Sequence, residues 1–247
     1  GGALTDDILK KLPKKLFLIE KDFNKAKKLN DKYNENEKVK IFNADILKFD
    51  IERRFFEYDG GYKITSITSN SGDKMNFSIN KTMLRIDLEK PLSSGSSITF
   101  NVKWWYNINN HVPERDRSGY EYFTEDDNRL YVIAQFFPRL CVYNDIEGWQ
   151  NYQFWGRGEF ALEFGDYDVK ITVPDDHIME ATGELQNPKN VLSKSQLQRY
   201  KKAANSFDKP IVIISEEEVR EKEKIKSNEK NTWHFVSKNV RDFAFAS

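Results

Sequence analysis

The sequence predicts a mainly β protein: a multi-stranded antiparallel sheet or sandwich with two peripheral helices, preceded by a truncated α/β fragment. Three observations carry this. All 11 arginines and all five tryptophans lie after residue 52, whereas residues 1–52 hold 12 lysines and neither of those types. Before the break, apolar residues recur in the order helix, strand, helix, strand, the order of a parallel α/β sheet. After it, short stretches rich in Ile, Thr, Phe, Tyr and Trp alternate with Gly, Asn, Asp and Ser turns, as in an antiparallel β domain. The domains are therefore read as 1–52 and 53–247, and 247 residues suffice for one large or two small domains.

The elements follow in order. Ile8, Leu9 and Leu12 suit a short helix, with Thr5-Asp6 as its N-cap region. Leu16-Phe17-Leu18-Ile19 is a short apolar run, read as a buried strand. Residues 22–34 are polar and Lys-rich, with Phe23, Ala26 and Leu29 at helical spacing. Val39 and Ile41, then Asn43-Ala44-Asp45, read as a second strand ending in a turn. Beyond the break, strands are predicted over 62–69, 74–79, 82–88, 96–106, 119–123, 130–136, 158–173, 178–184, 210–215, and 231–246 in two pieces. In the stretch from Thr82 to Leu88, Met83, Arg85 and Asp87 alternate with Leu84, Ile86 and Leu88, the period of a strand. The two helices fall at about 193–206 and 216–226; the second carries Glu216–Arg220 and Glu218–Lys222 at i,i+4, a solvated face. No internal repeat is present.

Composition narrows the function. Lys plus Arg and Asp plus Glu are 39 each, so the net charge is zero, which argues against general nucleic-acid binding or an anionic-membrane binder. No run approaches the ~18 apolar residues that span a bilayer. The 34 aromatic residues can build a core from large rings. One cysteine, Cys141, excludes an intrachain disulfide and a cysteine-based zinc finger, and fits a reducing or an oxidising compartment. His111, His177 and His234 are scattered, so no metal ligands are assigned. His111-x-x-Glu114-x-Asp116 lacks a third well-spaced ligand and reads as a solvated loop. Asp145, Glu147, Asp166 and Asp168 lack the dense oxygen spacing of a calcium loop; Asp145 and Asp166 read as turn acids bonded to nearby backbone N–H groups. Trp104, Trp105, Trp149 and Trp155 are read as core or interdomain packing, with a sugar-stacking face as the other reading. The chain opens on Gly1-Gly2 without a Met and ends at Ser247 straight after an apolar run, and is read as a piece cut at both ends.

Two resemblances refine the domains. Gly1-Gly2-Ala3-Leu4-Thr5, Leu18-Ile19-Glu20-Lys21-Asp22 and Asn43-Ala44-Asp45-Ile46-Leu47 form an ordered series. It resembles the start of the ribosomal RNA adenine dimethyltransferases, which bind S-adenosylmethionine on a Rossmann-like fold. The resemblance covers about a fifth of the chain and implies cofactor-binding roles. Gly2 would lie at the cofactor turn, Glu20 at the ribose and Asp45 near the adenine. Gly2 to Glu20 is 18 residues, near the roughly 20 that separate glycine turn and ribose acid in dinucleotide folds. The family's first strand, its earlier glycines and its Asn-Pro-Pro-aromatic motif are not in the sequence; Asn187-Pro188-Lys189 lacks the second Pro and the aromatic.

The second series is longer. It includes Trp104-Trp105-Tyr106-Asn107-Ile108-Asn109 and Ala134-Gln135-Phe136-Phe137-Pro138-Arg139. It continues through Asn144-Asp145-Ile146-Glu147-Gly148-Trp149, Gly156-Arg157-Gly158-Glu159-Phe160 and Asn239-Val240-Arg241-Asp242-Phe243-Ala244. The whole series, from Gly61-Tyr62-Lys63-Ile64-Thr65-Ser66 to the closing Phe245-Ala246-Ser247 and so about 185 residues long, resembles the N-terminal β-domain of aminopeptidase-N-type zinc metallopeptidases. By that resemblance Gln135 would reach the substrate's first residue. A neutral amide suits the task, because its oxygen accepts from an ammonium without adding a titrating group. Phe136-Phe137-Pro138 departs from the wider family, many of whose members carry a Gln or Glu two places after that Gln. The zinc motif His-Glu-x-x-His and the Gly-x-Met-Glu-Asn loop do not occur here.

The preferred expectation is thus a non-catalytic domain that walls the active-site cleft of a peptidase and helps position the substrate N-terminus. Its partners would be the catalytic domain of the same polypeptide and, in the intact enzyme, a peptide. It would be joined to a methyltransferase fragment in a chimeric chain. No catalytic residue and no cofactor are expected: zinc would belong to the catalytic domain, and S-adenosylmethionine enters only if the site in residues 1–52 functions. The alternatives are an S-adenosylmethionine-dependent rRNA adenine dimethyltransferase and a stand-alone β-sandwich binding module.

Overall fold

The computed structural model describes residues 3–11, 13–43, 59–111, 117–154, 161–225 and 228–247. The chain divides into two compact units, Gly1–Glu57 and Tyr58–Ser247.

The first unit has the order α1 (Ala3–Leu9), β1 (Leu16–Glu20), α2 (Phe23–Tyr33), β2 (Val39–Asn43). β1 and β2 pair in parallel, from Leu16 opposite Val39 to Glu20 opposite Asn43. A parallel pair needs a crossover, and α2 supplies it. That helix starts where Asp22, in extended backbone, accepts a hydrogen bond from Lys25 N at 3.0 Å. Ala26 and Tyr33 are its buried residues, while Phe23 is 68% exposed and takes no part in the core its spacing suggested. A second expectation is corrected at α1. Thr5 and Asp6 lie inside the helix and do not cap it. The Asp6 carboxylate takes the Lys32 ammonium at 2.6 Å and the Tyr33 hydroxyl at 2.7 Å, and so ties α1 to α2. These two bonds, Lys32's the larger, hold the Asp6 carboxyl below its usual range.

The second unit is antiparallel throughout its named strands. β3 (Lys63–Ser69) pairs with β6 (Phe100–Trp105), and β4 (Asn76–Asn80) with β5 (Met83–Asp87). β7 (Gly119–Phe123) and β8 (Asn128–Ala134) form a hairpin. The short strands β9 (Tyr143–Asn144) and β10 (Gly148–Trp149) form another. β11 (Gly165–Pro174) is followed by β12 (Glu180–Ala181) and β13 (Glu184–Leu185). α3 (Pro188–Val191), α4 (Lys194–Ala203) and α5 (Glu216–Glu223) come next, then β14 (Lys230–Val240) and β15 (Ala244–Ala246). The larger sheets run β12-β15-β8-β7 and β11-β14-β13. α4 and α5 are the two predicted peripheral helices. Each opens on a reciprocal capping box, Ser193 with Gln196 and Ser215 with Glu218.

β11 presents one half-buried face, and Trp233, Phe235 and Ser237 are the buried residues of β14. The core is Met179, Leu185, Trp233, Phe235 and Phe243, with Phe136, Phe137, Tyr167 and Phe245 packed against it. Trp233 and Phe235 stack with rings 5° from parallel. Of the tryptophans singled out from sequence, Trp104 is half-buried, Trp105 and Trp149 are about half exposed, and Trp155 lies outside the described residues.

The strand expected over 210–215 does not form. The Ile213 carbonyl is used by Arg199 Nε at 2.7 Å, and Ser215 starts α5, so this backbone is spent on a loop and a cap. Asp145 does not organise its turn either: Asn144 Oδ1 accepts from Ile146 N and Glu147 N at 3.1 and 2.8 Å. Asp166 does accept a backbone N–H, but from Asn239 on the facing strand at 2.8 Å.

Candidate functional site

Glu20, expected from sequence to be a site residue, lies at the carboxyl edge of the parallel pair, the edge at which open α/β sheets generally bind ligands. Glu20 is the last residue of β1 and is half-buried. Its Oε1 accepts the Asp22 backbone N–H at 3.0 Å, which orients the carboxylate and leaves Oε2 without a partner among the described residues. Opposite, the Asn43 amide Nδ2 donates to the carbonyl of Glu20 at 3.0 Å and to that of Lys21 at 3.1 Å. A single side chain on β2 thus fixes the turn that follows β1. Gly2 and Asp45 lie outside the described residues. Asp22 and Asn43 did not stand out as site residues in the sequence; the signal for Asn43 is its register opposite Glu20, which requires knowing how the strands pair. A shallow open depression lined by residues 32–38 lies at the amino-terminal end of β2, away from Glu20.

In the second unit, Gln135 follows β8 and holds φ at +52°, the left-handed region that a non-glycine residue adopts at a cost of about 1 kcal/mol or more. Two side chains brace it. Tyr62 donates its hydroxyl to the Gln135 carbonyl, and Trp104 Nε1 donates to the Phe136 carbonyl at 3.0 Å. The Gln135 residue is exposed, and its carboxamide makes no hydrogen bond among the described residues. The backbone is therefore held while the amide is presented to solvent.

Withdrawal from water pushes the Tyr62 phenol up to about 12, aided by Tyr106 and Asp242 nearby. Because the folded-state value lies above the ordinary 10, the stability from the neutral phenol is complete below pH 10. It is lost as pH rises from 10 through about 12. Tyr122 and Tyr200 are raised as well, so an ultraviolet absorbance titration is expected to show several late tyrosine ionisations, with Tyr62→Phe lowering the late amplitude by one group. An unchanged late amplitude in the variant would contradict the assignment.

His111 Nε2 stands 3.7 Å from Glu121 Oε2, and Glu114 and Asp116 lie outside the described residues. Among the described residues no three His, Cys, Asp or Glu side chains are grouped as metal ligands. No described helix is long and apolar enough to cross a membrane.

Residues 1–85 match the family model of ribosomal RNA adenine dimethylase. The match takes in the whole described part of the first unit and runs on into β3, β4 and the start of β5. Searches of curated proteins and of solved structures found no significant match. The rRNA adenine dimethylase likeness of the N-terminal segment therefore stands on an independent comparison as well as on Glu20 and its neighbours.

Proposed function

We propose that the first unit is the nucleoside-holding edge of an S-adenosylmethionine-binding unit of the ribosomal RNA adenine dimethylase type. The observation that carries this is Glu20: a half-buried carboxylate ending a parallel strand, with one oxygen held by Asp22 N–H. The match over residues 1–85 favours this reading over the peptidase wall. The donor set fits the cofactor, because a carboxylate at this edge accepts the two hydroxyls of a ribose. When bound, S-adenosylmethionine supplies an electrophilic methyl group. Glu20 would hold the ribose; by resemblance, Gly2 would lie by the cofactor and Asp45 by the adenine. The proposal stops at cofactor binding, because the sequence has no Asn-Pro-Pro-aromatic motif to hold a target amine.

Calorimetric titration of the full chain with S-adenosylmethionine tests it. Saturable binding is expected, and Glu20→Ala should weaken it about tenfold or more, the worth of a charge-assisted hydrogen bond. No binding, or equal affinity in the variant, would defeat the proposal.

For the second unit we infer a non-catalytic wall of a peptide site, with Gln135 as its polar contact. The strained and braced backbone at Gln135, beside an amide with no intramolecular partner among the described residues, favours it. Tryptophan fluorescence is expected to report weak binding of a free-amine tripeptide, abolished by N-acetylation of the peptide and by Gln135→Ala. Equal response to the acetylated peptide would remove this reading.

A further inference from the structure

We propose that Asn43 is a positioning residue for recognition of ribose hydroxyls, acting through Glu20. This rests on the S-adenosylmethionine reading and names what that site selects: an adenosine with free 2′ and 3′ hydroxyls.

Asn43 lies directly opposite Glu20 at the last described rung of the parallel ladder. Among the described residues no β1–β2 pairing lies beyond this rung, where the chain leaves Glu20 for α2. Asn43 restrains the chain there with its side chain, giving its amide hydrogens to the Glu20 and Lys21 carbonyls at 3.0 and 3.1 Å. Those carbonyls flank the turn whose Asp22 N–H grips Glu20 Oε1. The same Asp22 caps α2 through its carboxylate, accepting from Lys25 N at 3.0 Å. One chain of hydrogen bonds thus runs from β2 through the Glu20 turn to the start of α2. Its effect is to set the direction of the Glu20 carboxylate before any ligand arrives. A preset carboxylate loses less freedom on accepting two vicinal hydroxyls than a freely rotating one does.

The chemistry needs an amide. A carboxylate at position 43 would face two carbonyl oxygens with no hydrogen to give, and alanine would leave the turn untied. Asn43 is itself exposed, so the carbonyls it releases can turn to water, and the unit is expected to stay folded in these variants.

The test compares adenosine with 2′,3′-dideoxyadenosine on the full chain by calorimetry. The native chain is expected to prefer adenosine about tenfold or more. Asn43→Ala and the near-isosteric Asn43→Asp should both collapse that preference to within about twofold. Binding of the dideoxy nucleoside should barely change, which a general structural role would not produce. A second readout needs no ligand: the amide resonance of Asp22, shifted by its bond to Glu20, should move in Asn43→Ala and in Glu20→Gln alike. Loss of both nucleosides by the native chain would refute the cofactor reading, and the Asp22 resonance would then decide the role of Asn43 alone. An unchanged preference, or an unmoved Asp22 resonance in Asn43→Ala, overturns the proposal.

Discussion

Replacing Phe243 with alanine is expected to destabilise the second unit by about 3–5 kcal/mol, a large share of the roughly 5–15 kcal/mol that holds an ordinary domain folded. Phe243 is fully buried. It stands in the short turn between β14 and β15, so one ring serves strands of both larger sheets. Its centroid lies 5.9 Å from Tyr167 and 6.4 Å from Phe136. Its N–H is held by its neighbour Asp242 at 2.8 Å, and Asp242 in turn pairs with Arg139 at 2.6 Å. The backbone is therefore fixed from outside the core and cannot collapse far into the space the ring leaves, which puts the cost at the upper end. Urea unfolding followed by tryptophan fluorescence measures it, because Trp233 sits in the same cluster. A loss below about 1 kcal/mol would mean that this core is loosely packed.

Gly183→Ala is also expected to be damaging, costing about 2 kcal/mol or more. Gly183 lies between β12, which pairs with β15, and β13, which pairs with β14. The chain passes there from one sheet to the other, and the passage uses φ of +104°. A methyl group would stand 2.5 Å from the Val236 carbonyl oxygen and 2.8 Å from its carbon, both backbone atoms of the adjacent strand. Neither can swing aside as a flexible side chain could. Thermal unfolding by circular dichroism should show a clearly lowered midpoint for the variant. An unchanged midpoint would contradict the sheet-switching geometry.

Some of this architecture is legible in the sequence. The strand at 119–123 and the two-piece strand after 230 are plain because large apolar residues alternate there with polar ones. The 210–215 region is instead an unbroken apolar run, Ile211-Val212-Ile213-Ile214, that also suits a strand, yet its carbonyl at Ile213 is taken by Arg199. Periodicity cannot see such a partner. Thr5-Asp6 misled for a similar reason: a short polar pair before apolar residues suits a cap, but Asp6 is drawn to Lys32 and Tyr33 on the neighbouring helix. Glu20 stands out because Leu18-Ile19-Glu20-Lys21-Asp22 resembles the end of the second strand in the rRNA adenine dimethyltransferases. Asn43 carries no such mark, since its role depends on which residue of β1 it faces. The brace on Gln135 was equally hidden, because Tyr62 is 73 positions away in sequence.

The central claim is that the first unit holds the adenosine of S-adenosylmethionine at the carboxyl edge of β1 and β2. Ultraviolet cross-linking of methyl-labelled S-adenosylmethionine to the full chain, followed by tryptic peptide mapping, tests it most directly. Label is expected to be confined to peptides from residues 1–57, competed away by excess unlabelled cofactor and lost in Glu20→Ala. Competable label on peptides from residues 58–247, or competable label that survives Glu20→Ala, would contradict it.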